Sequence, residues 1–366
     1  MSVADADHRF MRRALRLAAR GRGWAGPNPM VGAVIVADGQ VVGEGFHRGP
    51  GTAHAEIVAL DRAGEKARGA TMHLTLEPCT HHGRTPPCAP RVAASGLARV
   101  VIASEDPNPR VAGGGIRALR DAGIEVETGL LRERENRLNE AYRKYITTGR
   151  PFVTLKIATS LDGKIATRTG ESRWITGERA RTMAHRLRRD SDAVLVGVQT
   201  VLADDPQLTV RHVRDRREPL RVVADSTART PLTAHLMRSG ESPPLIAVTD
   251  RARDEDAQAL RHIGAEVLVL PEREGRVDLG ALLDELGRRE AASLLVEGGA
   301  ELSASLIEQG LADKLVIFVA PKIIGGAGAR PAVAGAGVAA IEKAWPVRDI
   351  RCRRIGEDLM IEGYLT

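Results

Sequence analysis

Aromatic side chains are scarce in this chain of 366 residues, at 3% of the sequence, and cysteines number only three. Few aromatic rings leave few platforms for stacking on nucleic-acid bases. Three cysteines cannot build a disulfide framework. No run of about eighteen uncharged apolar residues is present, so we expect no membrane-spanning helix. The N-terminal segment MSVADADHRFMRR has acids and no apolar signal core, and together these features predict a cytoplasmic protein.

The net charge says little about partners. It is +6 at pH 7, and residues 1–150 hold 22 Lys and Arg against 16 Asp and Glu, whereas residues 151–366 hold 31 of each. Arginine outnumbers lysine throughout, which is typical of a compositional bias rather than of one basic binding surface. We therefore expect no nucleic-acid partner. The length, with 43% hydrophobic residues, predicts two domains.

A set of residues typical of metal sites stands out in the first half. His54 and Glu56 form a His-x-Glu pair, and Cys79 and Cys88 each follow a proline. One imidazole and two thiolates give Zn²⁺ three ligands and leave the fourth tetrahedral position open, as in catalytic sites. Water on such an ion titrates near neutrality, and a carboxylate beside it can move the proton. This is the residue set of zinc deaminases, in which the glutamate is the proton shuttle.

The local pattern around these residues predicts helix starts. The apolar run at residues 56–60 predicts a helix that begins near His54, and Pro87 predicts a second helix that begins near Cys88. The common deaminase signature has two residues between its cysteines, whereas eight residues, THHGRTPP, separate them here. This insert adds imidazoles and an arginine at the mouth of the site, which suits a phosphorylated substrate.

These motifs, together with PNPMVG at residues 27–32, resemble the deaminase half of the bifunctional riboflavin-biosynthesis enzymes. The resemblance implies a cytidine-deaminase-like domain with three layers, α/β/α. It implies one Zn²⁺ per chain, held by His54, Cys79 and Cys88, with Glu56 as the catalytic residue. The residues that would orient the pyrimidine and its phosphate are Asn28, His47, His81 and Arg84.

A change of pattern marks the end of the first domain. Residues 131–147 are charged and amphipathic and predict one helix, with Tyr142 and Ile146 on its inner face. The stretch TTGRP that follows contains turn residues. We place the boundary there, which gives domains at residues 1–148 and 149–366.

The second half contains stretches that match, in order, the riboflavin-type reductase domain. They are TSLDGKIA at 159–166, GESRWIT at 170–176, VGVQTVLADDPQLTVR at 196–211 and LLVEGGAEL at 294–302. The resemblance implies a dihydrofolate-reductase-like α/β domain that uses NADPH. The residues that occupy the family's cofactor positions are Ala158, Trp174, Thr200, Asp204, Ser226, Gly299, Ala300, Glu301, Leu302, Ser303, Ala304 and Ser305. Those that occupy its substrate positions are Ser172, Arg188, Leu208, Arg211 and Glu297.

The chemistry of some of these residues supports the assignment independently. Gly298 and Gly299 follow an apolar strand and open a helix, so a diphosphate can approach backbone N–H groups at the helix N-terminus. The pattern is not a Rossmann fingerprint, and an ordinary tight strand–helix turn is the alternative. Arg188 and Arg211 suit a phosphate, because a guanidinium binds it in a fork.

Three ionisable residues in matched positions could serve the reduction. They are Lys156, Asp204 and Glu297, and the sequence does not distinguish which of them donates a proton. Lys156 lies in an apolar strand, where a lysine is ordinarily an edge or solvent-facing residue.

The resulting hypothesis is a two-step enzyme acting on a small phosphorylated pyrimidine. We expect deamination of 2,5-diamino-6-(5-phosphoribosylamino)pyrimidin-4(3H)-one and then NADPH-dependent reduction of the ribosyl group to ribityl. The apolar stretch at 323–326 and the last strand predict a subunit contact, so we expect a homo-oligomer, a dimer or a tetramer. Two alternatives remain: a nucleic-acid deaminase with an accessory binding domain, and a non-catalytic protein with a structural zinc site.

Overall fold

A computed structural model of the chain describes residues 3–213 and 217–365. The chain divides into two compact units, Met1–Gly149 and Arg150–Thr366. Among the described helices, none combines the length and the hydropathy needed to cross a membrane. Each unit has its own sheet.

The first unit is built on a five-stranded sheet with the order β2-β1-β3-β4-β5. Its strands are β1 (Gly32–Ala37), β2 (Gln40–Phe46), β3 (Thr71–Leu76), β4 (Arg99–Ser104) and β5 (Glu125–Thr128). Its helices are α1 (Val3–Ala18), α2 (Ala55–Ala63), α3 (Ala89–Ala93), α4 (Gly114–Asp121), α5 (Arg132–Leu138) and α6 (Glu140–Thr148). Strand β1 pairs antiparallel with β2 and β3, whereas β3, β4 and β5 run parallel.

Helices cover both faces of this sheet. Successive side chains of a strand point to opposite faces. Accordingly, Val34 and Val36 of β1 pack with residues of α1, whereas Ala33 and Ile35 pack with residues of α2, α3 and α4. This arrangement confirms the predicted three layers, α/β/α.

Helix α2 lies unusually close to the sheet because β2 offers glycines to it. A Cβ atom added at Gly43 would lie 2.3 Å from the Ala59 carbonyl oxygen, and one added at Gly45 would lie 2.5 Å from that of Ala55. No side chain fits in either gap without moving the helix. The close packing therefore sets the position of the N-terminus of α2, where His54 lies.

The prediction of one continuous helix over residues 131–147 is wrong. The helix is interrupted at Asn139, which separates α5 from α6 and is itself buried, at 1% exposure. Its backbone has φ −103° and ψ 23°, outside the helical geometry. Tyr142 is buried as predicted.

The second unit is built on a nine-stranded sheet with the order β11-β10-β9-β8-β14-β6-β15-β18-β17, beside two short two-stranded ladders, β12-β13 and β16-β7. Its strands are β6 (Phe152–Ser160), β7 (Lys164–Ala166), β8 (Ala193–Gly197), β9 (Leu220–Ala224), β10 (Leu245–Val248), β11 (Glu266–Val269), β12 (Glu272–Arg273), β13 (Arg276–Val277), β14 (Ser293–Glu297), β15 (Lys314–Ala320), β16 (Arg330–Pro331), β17 (Arg348–Ile355) and β18 (Asp358–Tyr364). Its helices are α7 (Glu178–Arg189), α8 (Val198–Asp204), α9 (His235–Arg238), α10 (Asp254–His262), α11 (Leu279–Arg288) and α12 (Ala300–Glu308).

Strand β6 lies inside this sheet and not at its edge. It pairs in parallel with β14 on one side and with β15 on the other. Lys156 is therefore neither an edge residue nor freely solvated, and its side chain is 17% exposed. The register sets Glu297 of β14 directly beside Lys156. Because the carboxyl ends of parallel strands meet at one edge of a sheet, ligands bind there in open α/β sheets.

Candidate active sites

Three elements of the first unit bring the predicted metal ligands together. His54 is the residue before α2, Cys79 follows β3, and Cys88 is the residue before α3. Their donor atoms all lie within 4.8 Å of one another. The His54 Nδ1 atom is 3.0 Å from the Cys88 Sγ atom and 3.6 Å from the Cys79 Sγ atom.

The hydrogen bond between Cys79 and Cys88 shifts the pKa values of the two thiols in opposite directions. A hydrogen bond with Cys88 lowers the pKa of Cys79 to about 4, and the same bond, together with burial, raises the pKa of Cys88. One thiolate therefore forms readily, and a divalent cation between the sulfurs would take the place of the remaining proton. A His-Cys-Cys donor set at this spacing fits Zn²⁺ with an open fourth position.

A residue of the insert fixes the orientation of the histidine ligand. The Thr85 Oγ1 atom lies 3.0 Å from the His54 Nε2 atom. The hydroxyl oxygen can accept the Nε2–H proton, which leaves Nδ1 as the metal ligand. Such partners of ligating histidines set the tautomer and the ring orientation. The sequence of the insert indicates a role with the substrate but not this contact, because only the fold brings Thr85 beside His54.

Glu56 lies in the first turn of α2 and is almost completely buried, at 3% exposure. Burial raises its pKa to about 7. Its Oε2 atom has no hydrogen-bond partner among the described residues. A carboxyl group that titrates near neutrality and has a free oxygen can both take and return a proton.

Asn28 and His47, both predicted to bind substrate, contact each other. The Asn28 Nδ2 atom is 3.1 Å from the His47 Nε2 atom, and the rings of His47 and His54 are 5.0 Å apart. Burial lowers the pKa of His47, and the charge of His54 lowers it further, so His47 accepts the amide proton through its neutral ring. This contact uses only the Asn28 Nδ2 atom, so the side-chain carbonyl oxygen, Oδ1, is available to a ligand.

The other two predicted substrate residues lie in the insert. His81 is half-buried and its Nδ1 atom has no hydrogen-bond partner in the described part of the chain, whereas Arg84 is exposed. The sequence analysis also missed Glu77, which precedes Pro78 and Cys79. Its carboxylate accepts hydrogen bonds from three backbone N–H groups, those of Asp106, Gly113 and Ile116. Glu77 thereby ties the start of the cysteine loop to α4.

The second unit contains a cavity of about 630 Å³ at the carboxyl ends of its parallel strands. Of the predicted reductase residues, those that line it are Lys156, Ala158, Ser172, Trp174, Arg188, Thr200, Asp204, Leu208, Arg211, Glu297, Gly299 and Ser303. Gly298 and Gly299 have φ of 79° and 84° and lead into α12. The first turn of α12 therefore starts at the wall of the cavity, and its N–H groups suit a phosphate of a nucleotide such as NADPH.

The remaining predicted cofactor residues are not among those that line the cavity. They are Ser226, Ala300, Glu301, Leu302, Ala304 and Ser305. Leu302 packs into the main hydrophobic core of the unit, and Ala304 is 2% exposed. The hydroxyl oxygen of Ser226 accepts a hydrogen bond from the Val277 backbone N–H. The side chains of Leu302 and Ala304 therefore point into the protein.

Glu297 is held by two cations at the end of the cavity. The Arg188 Nη2 atom donates to the Glu297 Oε2 atom at 2.9 Å, its Nε atom donates to Oε1, and the Lys156 Nζ atom lies 3.5 Å from Oε2. Burial by itself would raise the pKa of Glu297, but the charges of Arg188 and Lys156 outweigh it and hold the pKa at about 2. Glu297 therefore stays ionised at neutral pH.

Arg188 is less available to a phosphate than the sequence indicates. Two of its three nitrogens donate to Glu297 and the third donates to the Thr209 carbonyl oxygen at 3.0 Å. Asp204 accepts a hydrogen bond of 2.6 Å from the Ser172 hydroxyl group. Arg211 remains at the cavity wall as a cation for a phosphate.

One face of α7 forms a wall of the cavity, and the sequence analysis missed most of it. Arg181, His185 and Arg188 recur at helical spacing and all line the cavity. The His185 Nδ1 atom accepts the Arg211 backbone N–H at 3.1 Å. Burial lowers the pKa of His185, and the charges of Arg188 and Arg211 bring it to about 4. The spacing of Arg181, His185 and Arg188, at i, i+4 and i+7, could have predicted from the sequence that the three side chains share one face of a helix.

Comparisons with known proteins match a family to each of the two units. The family described as "Cytidine and deoxycytidylate deaminase zinc-binding region" matches residues 4–104, and the family described as "RibD C-terminal domain" matches residues 151–361. The riboflavin biosynthesis protein RibD of Aquifex aeolicus is 44% identical over 359 residues, which cover 98% of each chain. That of Escherichia coli is 42% identical over 332 residues, covering 87% of this chain and 89% of the relative.

Solved structures give the same result. Acinetobacter baumannii RibD superposes with a TM-score of 0.88 at 39% identity and 99% coverage of both chains. A diaminohydroxyphosphoribosylaminopyrimidine deaminase/5-amino-6-(5-phosphoribosylamino)uracil reductase from Thermotoga maritima superposes with a TM-score of 0.86 at 35% identity, again with 99% coverage of both. The chain therefore belongs to the RibD family, the bifunctional deaminase–reductases of riboflavin biosynthesis.

Proposed function

We propose that the first unit hydrolyses an amino group of 2,5-diamino-6-(5-phosphoribosylamino)pyrimidin-4(3H)-one to a carbonyl group, releasing ammonia. The second unit then reduces the product to 5-amino-6-(5-phosphoribitylamino)uracil. The observation that carries this proposal is the His54, Cys79 and Cys88 donor set with the buried carboxyl group of Glu56 beside it. A purely structural zinc site has no use for such a proton carrier.

In deamination, Zn²⁺ would be held by the three donors and would supply a Lewis acid that activates water. Glu56 takes a proton from the attacking water and returns it to the departing amine, which balances the exchange of water for ammonia. Its pKa near 7 matches both halves of this transfer. Asn28 orients the pyrimidine through its free carbonyl oxygen, and His81 and Arg84 of the insert bind the phosphate end.

In reduction, bound NADPH would supply a hydride. The reaction needs an open sugar imine, whose C1′ atom accepts the hydride and whose nitrogen accepts a proton. Glu297 cannot be the donor, because Arg188 and Lys156 keep it ionised. We assign proton donation to the Lys156 Nζ atom, which the Glu297 carboxylate holds at the cavity wall. Asp204 and Ser172 act together on the sugar hydroxyl groups.

The two-step assignment is tested by one reaction on the intact chain with zinc bound. Given the diaminopyrimidine nucleotide and NADPH, ammonia release should begin at once, and NADPH oxidation should follow after a lag. Without ammonia release the deaminase assignment fails and a structural zinc site becomes the better explanation. NADPH oxidation without a lag would contradict the order of the steps.

We also propose a homo-oligomer, a dimer or a tetramer, in the cytoplasm. In the second unit Ile323 is 69% exposed, Ile350 62% and Leu359 40%, and β17 forms an edge of the nine-stranded sheet. Exposed apolar side chains beside an open edge strand favour pairing with another copy. Light scattering should give a mass of at least twice 39.3 kDa, and a monomer would contradict the proposal. The thiol ligands suit a reducing compartment.

A further inference from the structure

The interruption of the helix at Asn139 has a partner across the first unit. The Asn139 Oδ1 atom accepts the Met30 backbone N–H at 2.7 Å, and its Nδ2 atom donates to the Met30 carbonyl oxygen at 2.9 Å. One side chain thus satisfies both backbone groups of one residue, as a neighbouring strand would. The two residues are 109 positions apart in the chain.

The loop that Asn139 holds is poor in hydrogen-bond donors of its own. Pro27 and Pro29 have no backbone N–H, so within residues 27–30 only Asn28 and Met30 can donate a backbone hydrogen bond. Asn28 lies between the two prolines, and its backbone N–H donates to Ala25. The segment ends at Val31, whose carbonyl oxygen accepts the His47 backbone N–H at 3.0 Å.

The Asn139 amide also contacts a buried carboxyl group, that of Glu135. The Asn139 Nδ2 atom also donates to the Glu135 Oε1 atom at 2.7 Å. Glu135 is fully buried, and the Arg143 Nη1 atom lies 3.6 Å from its Oε2 atom. The Met30 N–H needs an acceptor and the Met30 carbonyl oxygen needs a donor, so the amide oxygen of Asn139 faces the N–H and its NH₂ group faces the carbonyl.

We propose that Asn139 is a positioning residue for deamination, which holds Met30 so that Asn28 and His47 present a fixed surface to the pyrimidine. Its side-chain hydrogen bonds in the described part of the chain go to Met30 and Glu135, and not to the metal ligands or Glu56. The inference rests on the proposed function, in which Asn28 orients the pyrimidine. It also explains why the amphipathic stretch 131–147 does not form one continuous helix. The Asn139 side chain bonds to Met30 in a distant part of the unit.

The test is a comparison of variants of the full chain, assayed for both activities. Asn139→Ala and Asn139→Asp should each raise the KM for the diaminopyrimidine nucleotide by about 10- to 100-fold, the equivalent of two hydrogen bonds, with a smaller change in kcat. Asparagine-to-aspartate substitution keeps an acceptor for the Met30 N–H but loses both donated hydrogen bonds. Glu135→Gln keeps an acceptor for Asn139 and should leave KM within about threefold.

Two controls separate positioning from general damage. Tyr142→Phe removes another buried hydrogen bond from α6, that of the Tyr142 hydroxyl to the Asp106 carboxylate at 2.8 Å, and should leave KM unchanged. Zinc content, and NADPH oxidation with the deaminated intermediate supplied, should equal those of the wild type in every variant. An Asn139→Ala protein with wild-type KM, or with the same losses as Tyr142→Phe, overturns the proposal. A wild-type protein that releases no ammonia refutes the proposed function instead.

Discussion

Glu56→Gln should lower ammonia release by about 10²- to 10⁴-fold, the range expected when a positioned proton carrier is lost. Glutamine has the same shape but cannot take a proton, and the site it enters is almost closed to solvent. Bulk water therefore cannot replace the carboxyl group easily. Ammonia production by a coupled assay, with zinc content measured in parallel, gives the result.

The other activity of the same chain is an internal control for this variant. NADPH oxidation should be normal when the deaminated intermediate is supplied and should vanish when only the diaminopyrimidine nucleotide is supplied. Glu65→Gln is a matched substitution, because the Glu65 side chain is 90% exposed in the same unit. Ammonia release by Glu56→Gln within tenfold of the wild type, with zinc bound, would assign the proton transfer to another group.

Arg188→Met should destabilise the second unit by about 3–5 kcal/mol, the usual cost of leaving one member of a buried ion pair alone. Glu297 would keep only Lys156, at 3.5 Å, in a site where its side chain is 8% exposed. Reductase activity should be lost with the pair. Calorimetry on the full chain measures the shift of the transition that belongs to residues 150–366.

A surface ion pair in the same unit offers a matched comparison. Arg253→Met removes an arginine that is 74% exposed and pairs with Asp256 at 2.7 Å, and it should leave the stability almost unchanged, because solvent screens exposed ion pairs. Adding Glu297→Gln to Arg188→Met should recover part of the loss, because the buried carboxylate is removed and only the Lys156 charge remains. If Arg188→Met costs no more than Arg253→Met, then Glu297 is not the desolvated anion described above.

The effect should also depend on pH in a defined direction. The folded-state pKa of Glu297, about 2, lies below the ordinary value of 4.5. Its ionisation therefore stabilises the folded wild type above pH 4.5, and this contribution is lost as the pH falls toward 2. The difference in stability between the wild type and Arg188→Met should shrink over the same interval.

The zinc centre was predictable from the sequence because its information is local. His54 and Glu56 belong to one helix start, and the chemistry of zinc limits which residues complete the site. A proline directly precedes each of the two cysteine ligands. The resemblance to a known family gave the fold of both units, including the three layers of the first.

Contacts between distant residues were beyond the sequence analysis. Asn139 looks like an ordinary helix residue until Met30 is placed beside it, so the predicted helix ran through it. Arg188 has the right chemistry for a phosphate, but the register of β14 against β6 brings Glu297 to the site, and Arg188 pairs with it. Thr85 contacts His54 from an irregular loop, and the course of such a loop cannot be predicted from a helix or strand periodicity.

The division of one polypeptide into a deaminase unit and a reductase unit has a consequence for metabolite supply. Both units are always made in equal number, so the total enzyme concentration multiplies the rate of formation and the rate of consumption of the deaminated intermediate alike. At steady state and below saturation, the concentration of that intermediate equals the turnover rate of the first site divided by the kcat/KM of the second. Enzyme abundance cancels. A cell can raise the flux by making more of this protein without raising the level of the intermediate.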